Sequence, residues 1–345
     1  MSIFLIRFMI HKVKSAGVFA GLGILFLVFL SGCSLINDST IGAQGQVGSV
    51  NKEPASTDMK PLEILSVTKE LSGDGYPAFI SGDEQYRVIL GTPDLAIGTQ
   101  RLSFLVYGPD GLIDLPHLDV RIMTVKGSGK YGESNVVRMR YLSGSAASEL
   151  GIYVGSLTLE QSGDHLMQIV VPTRASFDSR EIAINLFARE DPVAVAKNMK
   201  APLSKNLTLI DKPIAELTTG LNPNFDLYRE TVADAIEKQR PVVLIFASPG
   251  FCVSPMCGSQ VEIISALFDV YGEKCVFIHI ETYDDPHKVR ENPDTAQRNP
   301  ILADWGIISD QVVYLIGRDG LIFARFEGFS PYEELEASIQ ALIAN

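Results

Sequence analysis

Apolar and polar residues alternate in short runs between about residue 62 and residue 190. A period of two is typical of strands that bury one face. The turn Pro109-Asp110-Gly111 and several Gly- and Ser-rich stretches separate the runs, and no helical period intervenes. The pattern predicts strands at Gln100–Tyr107, Leu118–Val125, Val136–Leu142, Ile152–Leu159, His165–Val171 and Glu181–Ala188. Many short strands in succession favour a β-sandwich.

From about residue 223 the pattern changes, because buried-strand runs now alternate with helical periods. Val242–Phe246 is an unbroken apolar run, and apolar residues recur at three- and four-residue spacing from Val261 to Tyr271. The other predicted elements are a helix at Asp226–Gln239, a strand at Cys275–Glu281, a short helix at Ile301–Trp305, a hairpin of Val312–Ile316 and Leu321–Phe326, and a helix at Glu333–Ile343. This order predicts an α/β domain.

The first 32 residues have the pattern of a targeting signal. Basic Arg7, Lys12 and Lys14 precede the apolar run Val18–Leu30, and Leu30-Ser31-Gly32-Cys33 follows it. The stretch resembles a bacterial lipoprotein signal. That resemblance implies cleavage before Cys33, lipid attachment to Cys33, and a chain anchored to the cell membrane on its extracytoplasmic face.

Composition divides the remaining chain further. Residues 33–61 are rich in Ser, Gly, Asn and Gln and are expected to be a flexible tether. The β-rich part, 62–200, resembles the immunoglobulin-like modules of bacterial surface lipoproteins. Residues 201–222 show no steady period and contain Pro202 and Pro213, so we expect a linker before a C-terminal domain at 223–345.

Net charge argues against one class of partner. The chain has 29 basic and 41 acidic residues. Removal of the three basic residues of the signal leaves 26 against 41, a net charge of −15. Such a protein repels polyanions, so we expect no nucleic-acid partner.

Two cysteines five positions apart are the candidate chemistry. Cys252 and Cys257 follow Ser248-Pro249-Gly250 at a predicted strand-to-helix turn. On one continuous helix the two thiols would point about 140° apart, because each residue turns by roughly 100°. A helix that starts at Pro255, a residue preferred in the first turn, places Cys257 in that turn and Cys252 on the loop ahead of it. A disulfide or reactive pair is then possible, whereas Cys275 lies in an apolar strand and is expected to be buried.

The segment from about residue 222 to residue 345 resembles the thioredoxin superfamily. Phe246-Ala247-Ser248-Pro249-Gly250-Phe251-Cys252, Cys257-Gly258, Glu281-Thr282-Tyr283 and Asp304-Trp305-Gly306 match an extracytoplasmic branch with four residues between the cysteines. The resemblance implies an α/β thioredoxin-like fold and thiol–disulfide exchange with protein thiols or disulfides. In that reaction Cys252 attacks, Cys257 resolves, and no metal or cofactor takes part. Pro249, Phe251 and Pro255 would shape the site.

One position departs from the thioredoxin pattern. The proline that faces the cysteines in that superfamily is replaced here by Gln311. A cis bond before a residue other than proline costs about 2.5–4 kcal/mol, so we expect a differently shaped loop. The Gln311 amide is expected to lie over the sulfurs and to narrow the range of substrates.

Three other functions are open from sequence. One peroxiredoxin type also spaces its cysteines by four, but it has threonine where Pro249 stands. Copper handling of the Sco type would need a cysteine pair and a distant histidine, for which His279 and His287 are candidates. Finally, the chain could be a binding lipoprotein whose thioredoxin-like part is only a scaffold.

Overall fold

Ten antiparallel strands form the largest sheet in this computed structural model, which describes residues 66–67, 76–127, 130–144, 151–172, 179–251, 260–309 and 311–345. The strands are β1 (Ser66–Val67), β2 (Ala78–Ile80), β3 (Arg87–Leu90), β4 (Gly98–Gly108), β5 (Gly111–Leu112), β6 (His117–Lys126), β7 (Lys130–Leu142), β8 (Ile152–Leu159), β9 (Gly163–Pro172) and β10 (Ser179–Ala188). Their order is β1-β2-β3-β4-β8-β7-β6-β9-β10, and β5 pairs with β4.

Alternation along β4 sends its side chains into two cores. Leu102, Phe104 and Val106 pack with residues of β2, β3 and β6 to β10. Leu105 points the other way and packs with residues of the C-terminal part of the chain. Successive side chains of a strand take opposite faces, so the sheet is covered on both sides here.

The large sheet is nearly closed around the first of these cores. The backbone N–H of Ile97 donates to the Arg189 carbonyl at 3.0 Å, and the Arg189 N–H donates to the Leu95 carbonyl at 2.9 Å. These bonds join the chain ahead of β4 to the chain after β10, and they satisfy backbone groups that would otherwise lack partners.

A second sheet has four strands in the order β12-β11-β15-β16. Strand β11 runs parallel to β12 and antiparallel to β15, and β15 and β16 form a hairpin. The remaining elements are β11 (Val242–Ala247), β12 (Val276–Glu281), β13 (Tyr283–Asp284), β14 (Gln297–Arg298), β15 (Val312–Ile316), β16 (Ile322–Glu327), α1 (Val232–Glu237), α2 (Gln260–Tyr271), α3 (Pro286–Glu291), α4 (Ile301–Asp304), α5 (Tyr332–Ala344) and short 3-10 turns at Ile214–Glu216, Phe225–Tyr228 and Pro293–Thr295.

Strand β11 is buried along its whole length and separates two apolar layers. Val243 and Ile245 face a core that includes the inner sides of α2 and α5, while Leu244 and Phe246 face a core that contains Trp305. A strand buried on both faces needs a continuous apolar run, which is what the sequence supplies. The end of this strand is therefore a rigid support for whatever follows it.

The predicted fold class, an immunoglobulin-like sandwich followed by an α/β thioredoxin-like fold, is wrong. The structure is mostly β with only 21% helix, and its dominant element is the nearly closed ten-stranded antiparallel sheet. Residues Asp58–Asn345 form one compact unit, and a single core cluster takes side chains from both sheets. Alternation fixes the face that a side chain takes but not the neighbouring strand, so the pattern located strands without revealing how they pair.

Several individual elements are confirmed. The predicted strand Val242–Phe246 is β11, and the predicted final helix is α5, one residue longer at each end. The helix predicted at Asp226–Gln239 is shorter, because Thr231 caps a new start at Val232 with its side chain accepting the Asp234 N–H. Domain boundaries at residues 62, 201 and 223 remain predictions.

The signal, the tether and Cys33 lie outside the described residues. Among the helices of the described ranges, none combines the length and the apolar character needed to cross a bilayer.

Candidate functional site

Strand β11 ends in a tight turn that leads to the cysteine segment. Ser248 is buried, and its carbonyl accepts the Phe251 N–H at 3.1 Å. The Gly250 N–H donates to Thr219 Oγ1 at 3.0 Å. A β-carbon at Gly250 would lie 2.5 Å from the Thr219 carbonyl oxygen, so only glycine fits against this backbone. The chain is thus held up to the residue before Cys252.

A buried carboxylate, Glu281, lies behind this turn at the end of β12. One carboxylate oxygen, Oε2, accepts the Thr219 N–H at 2.7 Å and the Thr219 hydroxyl at 2.8 Å. The other, Oε1, accepts the Ser248 hydroxyl and the Thr282 N–H, the latter at 3.1 Å. Glu281 therefore ties the end of β11 to residues 218–219 and links, through Thr219, to the Gly250 backbone.

The pKa of Glu281 is raised above its ordinary value because burial penalises the charged form. Hydrogen bonds from Ser248, Thr219 and Thr282 oppose that effect without cancelling it. The Glu281 carboxyl group therefore keeps its proton to a higher pH than an exposed glutamate does.

His279 and Tyr228 complete the polar layer beneath the turn. The His279 Nε2–H donates to the Ala247 carbonyl at 3.0 Å, which leaves Nδ1 to accept the Tyr228 hydroxyl at 2.5 Å. Burial lowers the pKa of His279 to about 4, although the bond to Ala247 opposes the shift. The imidazole is neutral at pH 7, and both of its nitrogens are occupied.

A second polar cluster holds the other end of the cysteine segment. Gln260, the first residue of α2, accepts the Ser330 N–H at 2.7 Å through Oε1 and donates to the Ser330 carbonyl at 3.0 Å through Nε2. The Gln311 amide donates to Gln260 Oε1 at 3.2 Å. The Gln311 carbonyl accepts the Tyr76 hydroxyl at 3.0 Å and the Gly328 N–H at 3.2 Å. These bonds fix the chain at residue 260, where the described helix begins.

The predicted site residues fall into two groups. Cys252, Pro255 and Cys257 belong to residues 252–259, outside the described part of the chain. Pro249 is exposed, and its ring lies beside Gly220, where a β-carbon would be 3.2 Å from Cγ.

Three further predicted positions lie in the described part. The Phe251 ring packs edge-on against Tyr283 with centroids 5.9 Å apart. Gln311 is buried beside Gln260, and the predicted contact of its amide with the sulfurs remains a prediction. Cys275 is a buried free thiol, as expected, and burial raises its pKa to about 11.

Sequence reasoning assigned no role to Glu281, Thr219 or Ser248. The sequence did contain a signal for Glu281, because this residue ends the apolar strand Val276–Glu281 and would be buried with it. A buried carboxylate needs hydrogen-bond donors around it. Thr218 and Thr219 stand in the stretch predicted to be a linker, yet both are buried at this site.

Among the described residues no group of three or more His, Cys, Asp and Glu side chains is arranged to hold a metal. No protein-family model matches the chain, and a search of the curated proteins finds no similar sequence.

Proposed function

We propose that this protein catalyses thiol–disulfide exchange with protein substrates through Cys252 and Cys257, while a lipid on Cys33 anchors it to the extracytoplasmic face of a membrane. One observation carries the proposal: the two described ends of the cysteine segment, Phe251 and Gln260, are each fixed by a buried polar cluster. Eight residues join these two ends, and four of them stand between Cys252 and Cys257, so a disulfide between the two cysteines would close a short loop. A short loop lowers the entropic cost of closing that disulfide.

The properties of Cys275, which lies in the described part of the chain, support the assignment of the reactive cysteines. The Cys275 thiol is buried and its pKa is raised, so it stays protonated and unreactive near neutral pH. Cys252 and Cys257 would then be the reactive pair, with Cys252 attacking and Cys257 resolving.

The copper alternative loses support from the arrangement of His279. Both ring nitrogens make hydrogen bonds in a buried layer, so a metal ion bound to either nitrogen would break the hydrogen bond that this nitrogen makes. His287 lies on α3, and its Nδ1 has no hydrogen-bond partner in the described part of the chain. That single nitrogen favours no metal site by itself.

The test uses the full chain, equilibrated in buffers of defined thiol–disulfide ratio and analysed by alkylation and peptide mass. We expect Cys252 and Cys257 to interconvert between dithiol and disulfide, at a potential between about −270 and −120 mV. Cys252→Ser should abolish reduction or oxidation of a model disulfide, whereas Cys275→Ala should retain it. A chain that never forms the disulfide, or a Cys252→Ser variant with full activity, would refute the proposal.

A further inference from the structure

A cavity of about 870 Å³ lies between the large sheet, strand β16 and helix α5. Buried Phe326 and Glu327 lie at its inner end, whereas Ile97, Lys197 and Met199 are exposed and stand at its mouth. Small-molecule sites in proteins have volumes of about 300–1,000 Å³. None of the described lining residues belongs to the two polar clusters at the ends of the cysteine segment.

Apolar side chains from both sheets form much of the cavity wall. Val154 of β8 comes from the large sheet, and Phe323 and Phe326 of β16 come from the second sheet. Ile97 and Met199 continue this apolar surface to the mouth, where they are 45% and 48% exposed. Large apolar side chains grouped around an opening are typical of a site that receives an apolar ligand.

Arg101, a cation in the wall, uses all five of its N–H donors within the protein. The Glu334 carboxylate accepts two of these hydrogen bonds, at 2.7 and 2.8 Å. The Ser103 hydroxyl accepts a third at 2.7 Å. The carbonyls of Glu327 and Phe329 accept the last two, both at 2.8 Å. Arg101 therefore has no donor left for a ligand.

Arg325, the other arginine in the wall, is also occupied. Its Nη1 donates to Asp94 Oδ2 at 2.9 Å and to the Ala194 carbonyl at 3.1 Å. Its Nη2 donates to the Asp94 carbonyl at 3.1 Å and lies 3.9 Å from Glu327 Oε2. A polar ligand would have to break these buried contacts to use the guanidinium, at a net cost. The interior therefore favours a ligand part that makes no hydrogen bonds.

Lys197 at the mouth differs from both arginines, because it has no ion-pair partner among the described residues. The chain as a whole carries a net charge of −12, which repels anions. An anionic group is therefore held only where a cation is locally free. Lys197 provides one such point, through a charge-assisted hydrogen bond from its ammonium group.

We propose that this cavity binds a free fatty acid, with the alkyl chain against Val154, Phe323 and Phe326 and the carboxylate at Lys197. An alkyl chain needs no hydrogen bonds, and every methylene removed from water contributes to binding. A carboxylate carries one charge, which matches one lysine. A larger polar head would bring hydroxyl and phosphate groups for which Lys197 alone has too few donors. This binding goes beyond the exchange function proposed above and does not require it.

The test is equilibrium dialysis of radiolabelled dodecanoate against the full chain in phosphatidylcholine vesicles, with vesicles alone as the background. We expect saturable binding of one dodecanoate per chain. Across octanoate, decanoate and dodecanoate, the affinity should rise about fourfold for each added methylene. Absence of saturable binding above the background would overturn the proposal.

Ser338→Phe tests whether the ligand occupies this cavity, since Ser338 of α5 lines it. The added ring takes up space that the alkyl chain needs. The affinity for dodecanoate should fall about 15-fold, as for a chain shorter by two methylenes. Ala337→Phe is the matched control, because Ala337 is exposed on the same helix and does not line the cavity. Equal affinities of Ser338→Phe and the wild type would show that the ligand binds elsewhere, which overturns the proposal.

Lys197→Gln tests the position of the carboxylate. The affinity for dodecanoate should fall about threefold, which is the effect of an exposed ion pair, while binding of uncharged dodecanol should not change. Lys200→Gln is the control, since Lys200 is exposed in the same segment but does not line the cavity. If Lys197→Gln binds dodecanoate as tightly as Lys200→Gln does, the carboxylate does not lie at Lys197 and the proposal fails.

Melting temperatures show whether each variant folds. If Ser338→Phe does not fold, a dodecanoate analogue with a diazirine on its chain provides the second measurement in the wild type. Irradiation should label peptides of β8, β16 or α5, located by mass, and excess dodecanoate should prevent this labelling. Labelling confined to other parts of the chain would overturn the proposal. Lysophosphatidylglycerol of the same chain length should bind more weakly than dodecanoate, and tighter binding would overturn the assignment to a fatty acid.

Discussion

Arg325 of β16 donates from Nη1 to Asp94 Oδ2 at 2.9 Å, across the contact between the two sheets. The Asp94 side chain is fully buried and also accepts the N–H groups of Val193 and Ala194 at 3.0 Å. A charge in this position is retained only with its partner, because an isolated buried ion costs several kcal/mol.

Asp94→Ala should therefore destabilise the protein by about 3–5 kcal/mol, since it leaves the Arg325 guanidinium without its closest partner. Denaturant unfolding at pH 7 measures the loss. The control is Asp119→Ala, which removes the exposed ion pair between Asp119 and Arg138 at 3.0 Å. That change should cost less than about 1 kcal/mol. Equal costs for the two substitutions would contradict a stabilising role of the buried pair.

The contact between the sheets also shows what the sequence could not predict. Strand β11 follows from its β-branched and aromatic run, and α5 follows from its helical period, because both patterns are local. Asp94 and Arg325 stand 231 residues apart, and nothing near either residue indicates the other. The same holds for Leu105 and Ile152 of the large sheet, which share a core with α2.

The candidate site likewise has a part that the sequence predicts and a part that it does not. The turn after β11 was predicted from Ser248-Pro249-Gly250, and it is present. Thr219 was assigned to a linker because it lacks an apolar period. Its burial depends on Glu281, which lies 62 positions later in the chain. Polar residues buried by a tertiary hydrogen bond resemble loop residues in sequence.

The buried imidazole of His279 predicts a pH-dependent loss of stability. Its pKa in the folded protein is about 4, below the value of about 6.5 expected in the unfolded chain. The unfolded state therefore binds the extra proton first, and stability falls as the pH decreases from about 6.5 towards 4. His279→Gln keeps an amide that can serve Ala247 and Tyr228 but cannot titrate in this range.

The wild type should lose about 2 kcal/mol relative to His279→Gln between pH 7 and pH 5. Unfolding in urea at pH 7 and at pH 5 measures the difference in stability between the two proteins. The contributions of groups that titrate in both proteins cancel in that difference. His117→Gln is the control, since that residue is exposed at the start of β6. Between pH 7 and pH 5 this variant should lose as much stability as the wild type. Parallel pH curves for wild type and His279→Gln would contradict the assignment of a neutral buried imidazole.

Lipidation of Cys33 is predicted from the Leu30-Ser31-Gly32-Cys33 motif. Intact-mass measurement of the protein purified from membranes should show loss of residues 1–32 and the added mass of acyl chains. Cys33→Ser should retain residues 1–32 and carry no acyl mass. Ser34→Ala is the neighbouring control and should be processed like the wild type. A wild-type chain that keeps residues 1–32 would rule out lipidation at this position.

The pair formed by Gln260 and Gln311 gives the last prediction. Gln260 saturates both backbone groups of Ser330, so Gln260→Ala leaves a buried N–H and a buried carbonyl without partners. The expected loss of stability is about 2–3 kcal/mol. Gln340→Ala, which removes the bond from Nε2 to the Tyr271 hydroxyl at 2.8 Å on the exposed side of α5, should cost less than about 1 kcal/mol.

Gln311→Ala tests whether the Gln311 amide acts through Gln260. Their bond of 3.2 Å predicts that the double substitution costs about 1 kcal/mol less than the sum of the single ones. If instead the amide lies over the sulfurs, as predicted from sequence, Gln311→Ala should also change the alkylation rate of Cys252, whereas Gln260→Ala should change it less. Additive stabilities would show that the two side chains are not coupled. An unchanged Cys252 rate in Gln311→Ala would remove Gln311 from the thiol site and leave it a purely structural role.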